Sequence, residues 1–312
     1  MKSVNYKQSQ YLRSENLIIS SDVFNYDTGS GVFKGKPYPF VLNNNVNNLY
    51  APFGSAILEY FSKNSIAWWN GHLTNHTLSS QVACLNYLFP IRNDKSAVLS
   101  ILSNINPDIV DVLTIDSDRF SPAYIQFESV SDIDHLYEKA STRGSNCTSV
   151  DALMLGVHKD GRRILFPMEW KYVEAYGNED KAAGNPGKTR KLRYENLINH
   201  SAQLQSTSHD IYYFEPFYQL MRQTLWAEQM IANKAIETVK ADDYIHIHVI
   251  PSENIELLNK EYPCSGNIME STWRSCLKDQ SKYHIISPRD LFSPISSNQY
   301  QALTQYLEKR YW

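Results

Sequence analysis

The sequence is poor in the residues that build several common kinds of site. Its four cysteines, Cys84, Cys147, Cys264 and Cys276, lie far apart and form no CxxC pair, which excludes the usual zinc spacings and a disulfide framework. There is no Gly-rich phosphate loop and no serine nucleophile elbow. His72 and His76 stand four apart without an HExxH pattern, and they read as structural. No segment approaches the roughly 18 consecutive apolar residues of a membrane-spanning helix, and Met1-Lys2-Ser3-Val4-Asn5-Tyr6 opens no apolar signal region. The expectation is a soluble, cytoplasmic protein. Positive charge is not in excess either: the net charge is −3 and the pI about 6.3. The global field therefore does not favour nucleic acid, and binding there would need a local basic patch.

What the 312 residues do contain is ample material for a core, with 42% hydrophobic and 12% aromatic residues. Apolar periodicity predicts helices over 56–63, 80–89 and 95–104, the second capped by Ser79-Ser80. Further helices are expected over 192–205, 217–240 and 296–310. Strands are expected over 109–115, 123–128 and 244–250. Between these groups lies a hairpin at 149–174. Strands bracketed by helices indicate an α/β domain with a mixed sheet.

The hairpin carries the chemistry. Residues 150–157 form a mostly apolar run, Asp160-Gly161 is a strong turn dipeptide, and the apolar run that follows is broken only by Glu169 and Lys171. A three-residue loop, Lys159 to Gly161, with Gly161 left-handed, sets His158 against Arg162 and Asp151 against Glu169. Lys171, two residues on, shares their face. A slip of one residue would separate the carboxylates, and Pro167, which cannot donate to a ladder, points to a bulge. Two carboxylates side by side in an apolar sheet need a shared proton or a cation. Oxygen ligands of this kind suit Mg²⁺ or Mn²⁺, and an adjacent amine can orient water or stabilise charge on phosphorus. The plainer alternative is a solvated ion pair between Glu169 and Lys171. The apolar Leu153, Leu155, Leu165 and Val173 around the group argue against that.

Asp151 followed by Glu169-x-Lys171 resembles the active-site motif of the PD-(D/E)XK nuclease superfamily, the restriction-endonuclease-like proteins. Phe127-Glu128, the extended run Glu169-Trp170-Lys171-Tyr172-Val173-Glu174 and Gln219-Leu220-Met221-Arg222-Gln223-Thr224 resemble a bacterial group within it. The similarity runs from about 79 to 222. Val150 stands where the motif's name has proline. The resemblance implies a restriction-endonuclease-like core, a mixed β-sheet flanked by helices. Residues 1–70 would be an N-terminal extension packed on it, and 71–312 the nuclease domain with its C-terminal helices. It also implies a Mg²⁺- or Mn²⁺-dependent endonuclease, with Asp151, Glu169 and Lys171 catalytic and nucleic acid, foremost DNA, as partner. A homodimer is an open expectation.

The superfamily often adds an upstream acid. Residues 80–89 supply Gln81 and Asn86 but no acid, so Glu128 and Glu59 both stand open for that place, with Glu128 as the metal ligand beside Asp151 and Glu169. Gln81 and Arg222 are expected at the substrate; Arg222 and Gln223 could face the site or cap the domain surface, and the resemblance favours a role near the site. The dense positive cluster Lys181, Lys188, Arg190, Lys191 and Arg193 surrounds Gly184-Asn185-Pro186-Gly187, read as a mobile loop. Lys188, Arg190 and Lys191 would contact phosphates there. Gln203 and Gln205 would touch substrate or backbone. His246 and His248 alternate on one strand face and read as polar rather than metal-binding. Two other functions remain: an inactive nucleic-acid-binding or scaffold module of the same fold, and a metal-dependent hydrolase of RNA or smaller phosphodiesters.

Overall fold

The computed structural model describes residues 5–68, 71–118, 121–139, 147–295 and 298–312. Helix α1 (Tyr6–Ser20) is followed by a minimal hairpin, β1 (Val32–Phe33) and β2 (Lys36–Pro37), and by α2 (Gly54–Lys63), α3 (Ser80–Leu88) and α4 (Lys95–Ile105). Then come β3 (Ile109–Leu113), a separate hairpin of β4 (Asp116–Asp118) and β5 (Ser121–Ala123), β6 (Ile125–Ser129), β7 (Val150–His158) and β8 (Arg163–Trp170). The chain continues through α5 (Gly184–His200), α6 (Phe217–Ala232), β9 (Asp243–Tyr244), β10 (His246–Val249), α7 (Ile255–Leu258) and α8 (Met269–Ser275). It ends with β11 (Tyr283–Ile286), α9 (Pro288–Phe292) and α10 (Gln301–Tyr311).

The central hairpin has the expected loop. Gly161 adopts φ +88°, its N–H bonds the His158 carbonyl at 2.8 Å, and the His158 N–H bonds the Arg162 carbonyl at 2.9 Å. A left-handed φ is what glycine permits and other residues resist. Pairing then runs from Val157 opposite Arg163 to Ala152 opposite Met168 without a shift. Pro167 makes no bulge in it. The interruption falls on the other edge of β8, in the gap between β9, which pairs at Ile164–Leu165, and β10, which pairs at Met168–Trp170.

Seven strands join in a mixed sheet of order β11-β10-β8-β7-β3, with β6 also pairing β7 and β9 also pairing β8. β8, β9, β10 and β11 are mutually parallel; β3, β6 and β8 run antiparallel to β7. Alternation along the strands divides the core into two layers. Ala152, Met154, Phe166 and Met168 pack with Val82, Leu85, Val98 and Ile101 of α3 and α4. On the opposite face, Leu153, Leu155 and Leu165 pack with Leu220, Met221 and Leu225 of α6. Each fully buried Val, Leu, Ile, Phe or Met among them contributes about 1.5–3 kcal/mol of transfer free energy. A sheet covered on both faces by helices is the α/β, restriction-endonuclease-like architecture the resemblance implied.

Residues 5–68 join these layers. Leu49, Ile57, Tyr60 and Phe61 lie in the first core. α1 is tied to distant chain by Tyr6 N–H donating to Glu256 Oε1 (3.0 Å) and by Tyr172 Oη–H donating to Gln10 Oε1 (3.0 Å).

Several helix boundaries differ from expectation. The segment read as a loop at 184–187 is the first turn of α5. Pro186 is tolerated there because first-turn N–H groups have no intrahelical acceptor to lose. Gly187 is required by crowding, since a Cβ on it would lie 1.9 Å from the Ala182 carbonyl oxygen. α5 ends at His200 rather than 205. α6 ends at Ala232 rather than 240, where Asn233 turns its amide back onto the Gln229 carbonyl (3.0 Å) and satisfies a last-turn acceptor. The closing helix begins at Gln301; its expected start, Ser296, lies outside the described residues.

Candidate active site

Four polar residues form one rank across the sheet. The β6–β7 pairing, Phe127 with Ala152 and Ser129 with Val150, brackets Glu128 against Asp151. The β7–β8 register carries Asp151 to Glu169, and Glu169 pairs in turn with His248 on β10. The register argued from the loop length thus places the two carboxylates on adjacent antiparallel strands. Asp151 Oδ2 accepts the Trp170 N–H at 2.6 Å, which locks its carboxylate to the end of β8.

Glu169 and Lys171 are both buried, at 3% and 5% exposure, so this is no solvated ion pair. Lys171 Nζ donates to Glu169 Oε1 (2.5 Å) and to Gln219 Oε1 (2.6 Å); Gln219 Nε2 donates to Glu169 Oε1 (2.8 Å). Gln223 Nε2 donates to Glu169 Oε2 (2.5 Å) and to the Ser149 carbonyl (3.2 Å). Gln219 and Gln223 are four apart on α6, so one helix face supplies both amides. Together they fix both oxygens of Glu169 and one bond of Lys171.

The electrostatics follow from burial. Loss of water pushes the Asp151 carboxyl well above the usual carboxylate range, and the charges of Glu169 and Glu128 add to the effect. Burial works against the Lys171 ammonium, but the acids around it, Glu169 foremost, hold its pKa well above that of a free lysine. Glu128, buried and held at φ +49°, accepts Gln81 Nε2 at 2.6 Å. A non-glycine residue in the left-handed region carries backbone strain, which concentrates at functional sites. Asp151 feels the charges of both Glu169 and Glu128, and Lys171 lies beside Glu169 and Asp151, a donor set with an excess of negative charge that an oxygen-loving divalent cation would neutralise. Among the described residues, no group of three or more His, Cys, Asp or Glu side chains is gathered at metal-holding geometry. The expected trio of Asp151, Glu169 and Glu128 is therefore not closed, since Glu128 turns to Gln81. The Asp151–Glu169 pair still fits Mg²⁺, which commonly takes one or two carboxylates and completes its shell with water and phosphate oxygens.

The other expected residues are distributed as follows. Glu59 pairs with Lys63 on the exposed face of α2, away from the rank. Arg222 turns away from Glu169. Its guanidinium bonds Glu138 through Nε (3.0 Å) and Nη2 (2.9 Å), and Tyr194 of α5 donates to the same carboxylate (2.5 Å). Lys188, Arg190 and Lys191 stand on α5, where Arg190 Nη1 bonds the Lys181 carbonyl (2.8 Å) while Lys188 and Lys191 are exposed. α5 contacts α6 through Tyr194 and Tyr218, whose ring centroids are 6.0 Å apart. Gln203 serves the backbone, bridging to the Asp279 carbonyl (2.5 Å) and N–H (3.2 Å).

His246 and His248 are wholly buried on the same sheet face as Glu169. They are not a polar surface. Burial holds both rings neutral, His246 at about 3 and His248 well below its usual value. His248 Nδ1 meets the Tyr283 hydroxyl at 2.8 Å.

A mixed sheet carrying Asp, Glu-x-Lys on adjacent strands, with glutamines from the covering helix, defines a restriction-endonuclease-like protein. Residues 7–312 match the family described as Restriction Endonuclease associating with ARP, and the chain belongs to that family. The match extends well beyond the 79–222 stretch that carried the resemblance. Neither the comparison with curated proteins nor that with solved structures finds a match. Among the described residues, no helix is long and apolar enough to cross a membrane.

Proposed function

We propose that this chain is a divalent-metal-dependent nuclease that hydrolyses phosphodiester bonds, with DNA as substrate. The observation that carries the reading is the rank of buried Glu128, half-buried Asp151 and buried Glu169, with buried Lys171 alongside. Asp151 and Glu169 would hold Mg²⁺ or Mn²⁺. Such an ion, when bound, lowers the pKa of water and offsets charge on phosphorus. Among the described residues, Lys171 is the buried cation beside the acids. Its ammonium, kept protonated by Glu169, would donate to a phosphate oxygen or orient the attacking water. Gln219 and Gln223 hold the Glu169 carboxylate in one orientation, so little rearrangement is left for the reacting complex. Lys188, Arg190 and Lys191 on α5 would contact the backbone phosphates, compensating for the net charge of −3. The family's description names an association with ARP, and this chain would share it.

The deciding experiment incubates the purified chain with supercoiled plasmid, linear DNA and RNA, in Mg²⁺, Mn²⁺ or EDTA. Cleavage of DNA that needs the metal and is lost in Asp151→Asn and Glu169→Gln supports the reading. Cleavage of equal rate in all three proteins would assign it to a contaminant.

A further inference from the structure

Asp151 stands at the open end of its ladder. The last β7–β8 pair is Ala152 with Met168, and the last β6–β7 pair is Ser129 with Val150. Strand ends open at little cost, so pairing alone holds Asp151 loosely. The two residues before β7 are held by side chains instead. The Ser149 carbonyl accepts from Gln223 Nε2 (3.2 Å). Thr148 is gripped twice by the Glu138 carboxylate, which accepts its N–H and, at 2.8 Å, its Oγ–H. The same carboxylate accepts from Arg222 of α6 through Nε (3.0 Å) and Nη2 (2.9 Å), and from the Tyr194 hydroxyl of α5 (2.5 Å). Five donors thus converge on one carboxylate whose side chain is 3% exposed.

Burial makes this joint stiff. A carboxylate out of water is costly unless a cation and donors surround it, and its bonds to arginine are among the stronger kind. Glu138 has both, and its own N–H donates to Asp134 Oδ1 (2.8 Å), so the acceptor is itself anchored. Arg222 and Gln223 are neighbours on α6. One holds Glu138 and thereby Thr148; the other holds Ser149 and, at 2.5 Å, Glu169 Oε2. The same stretch of helix therefore fixes the start of β7 against the acid of β8. We propose that Glu138 is a positioning residue for the acid rank: with Arg222 it sets Asp151 beside Glu169 at the spacing a shared cation needs. This deepens the nuclease reading and rests on it. Glu138 acts through Thr148, three residues before Asp151, and not on the cation or the substrate. Through Tyr194 the joint also carries α5, whose lysines would meet the phosphates, so substrate and acids share one point of reference.

Glu138→Gln, Thr148→Val and Arg222→Lys test it on the full chain, each assayed well below its own Tm. The readings are kcat and KM for plasmid cleavage, the Mg²⁺ concentration that half-saturates the Mg²⁺-induced rise in Tm, and DNA binding in EDTA. We expect Glu138→Gln to lower kcat and apparent Mg²⁺ affinity by about 10–100-fold, the usual loss when a group that orients a metal ligand is removed. KM and DNA binding in EDTA should hold. Thr148→Val deletes one hydroxyl and keeps the backbone bond, so it should show the same pattern at severalfold size. It decides the matter if Glu138→Gln does not fold. Arg222→Lys keeps the charge without the two-pronged contact and should fall between them. Wild-type kcat and Mg²⁺ affinity in Glu138→Gln and Thr148→Val would overturn the proposal, as would a loss confined to KM or DNA binding. A wild type that leaves DNA uncut yet is stabilised by Mg²⁺, with Glu138→Gln needing more of the ion, keeps the joint and loses the nuclease reading. A chain that cuts DNA equally well with and without Glu138 loses only the joint. A wild type that neither cuts DNA nor responds to Mg²⁺ overturns both.

Discussion

Asp151 sits where a charge is costly. Its carboxyl is pushed up by burial and then by Glu169 and Glu128, so folding leaves it less willing to ionise than the unfolded chain. Because the folded value is raised, the cost is absent below the unfolded value of about 3.8 and grows as pH rises above it. Removing the charge should therefore stabilise the metal-free fold. Asp151→Asn in EDTA at pH 7 is expected to raise Tm by roughly 2–4 °C, the shift that about 1 kcal/mol gives in a large domain. Mg²⁺ should raise the Tm of the wild type and leave that of the variant unchanged. A variant that melts lower in EDTA would show that the Asp151–Trp170 bond outweighs the repulsion. Lys171→Ala should remove turnover and retain metal-induced stabilisation, because the amine does not ligate. Gln223 acts through Glu169, so Gln223→Leu should lower kcat by about 10–100-fold, the usual loss when a group that orients a ligand is removed. Its apparent metal affinity should fall while the KM for DNA holds. A variant with a changed KM and unchanged kcat would place Gln223 in substrate binding instead.

At the scale of elements, the hairpin was legible because its information is local. One turn glycine fixes the loop length, the loop fixes the register, and the register brings Asp151 to Glu169. Glu128 was less legible. Its place opposite Asp151 depends on β6 pairing β7 across a connection of about twenty residues, and no local pattern encodes that register. Gln223 was expected near the site, and Gln219 could have been found from its i, i+4 spacing to Gln223, which puts both on one helix face. Arg222 between them drew attention by its charge, although helical geometry turns it elsewhere, to Glu138. The basic segment was misread because Gly and Pro, ordinarily loop signals, here occupy the first turn of α5. As a helix, α5 presents Lys188 and Lys191 on an ordered surface. Replacing Lys188, Arg190 and Lys191 with Ala should weaken DNA binding and flatten the dependence of log K on log salt by roughly one unit for each phosphate no longer neutralised. Binding across a salt series decides it, and an unchanged slope would place the groove elsewhere.

For the whole molecule, the two histidines of β10 couple the site to the stability of the fold. His246 and His248 lie in the layer beneath α6, beside Glu169, and burial holds them neutral. In the unfolded chain both titrate near 6.5. Their folded values are depressed, so below about 6.5 the unfolded state binds protons that the folded state refuses, and stability falls as pH falls. Each histidine contributes up to about 1.4 kcal/mol per pH unit to that slope. The raised carboxyl of Asp151 acts in the opposite sense, so the histidines should dominate any loss between neutral and mildly acid pH. His246 is the better probe, because it lies two residues from His248, the residue that pairs with Glu169, and its ring makes no described hydrogen bond. His246→Phe should match or exceed the wild type at pH 7. From pH 6.5 to 5 it should lose about 2 kcal/mol less than the wild type, the contribution of one histidine over that interval. Urea melts at the two pH values, in EDTA, measure the difference. Parallel losses in both proteins would mean that His246 is protonated in the folded state, and that the layer beneath the site admits a charge its burial argues against.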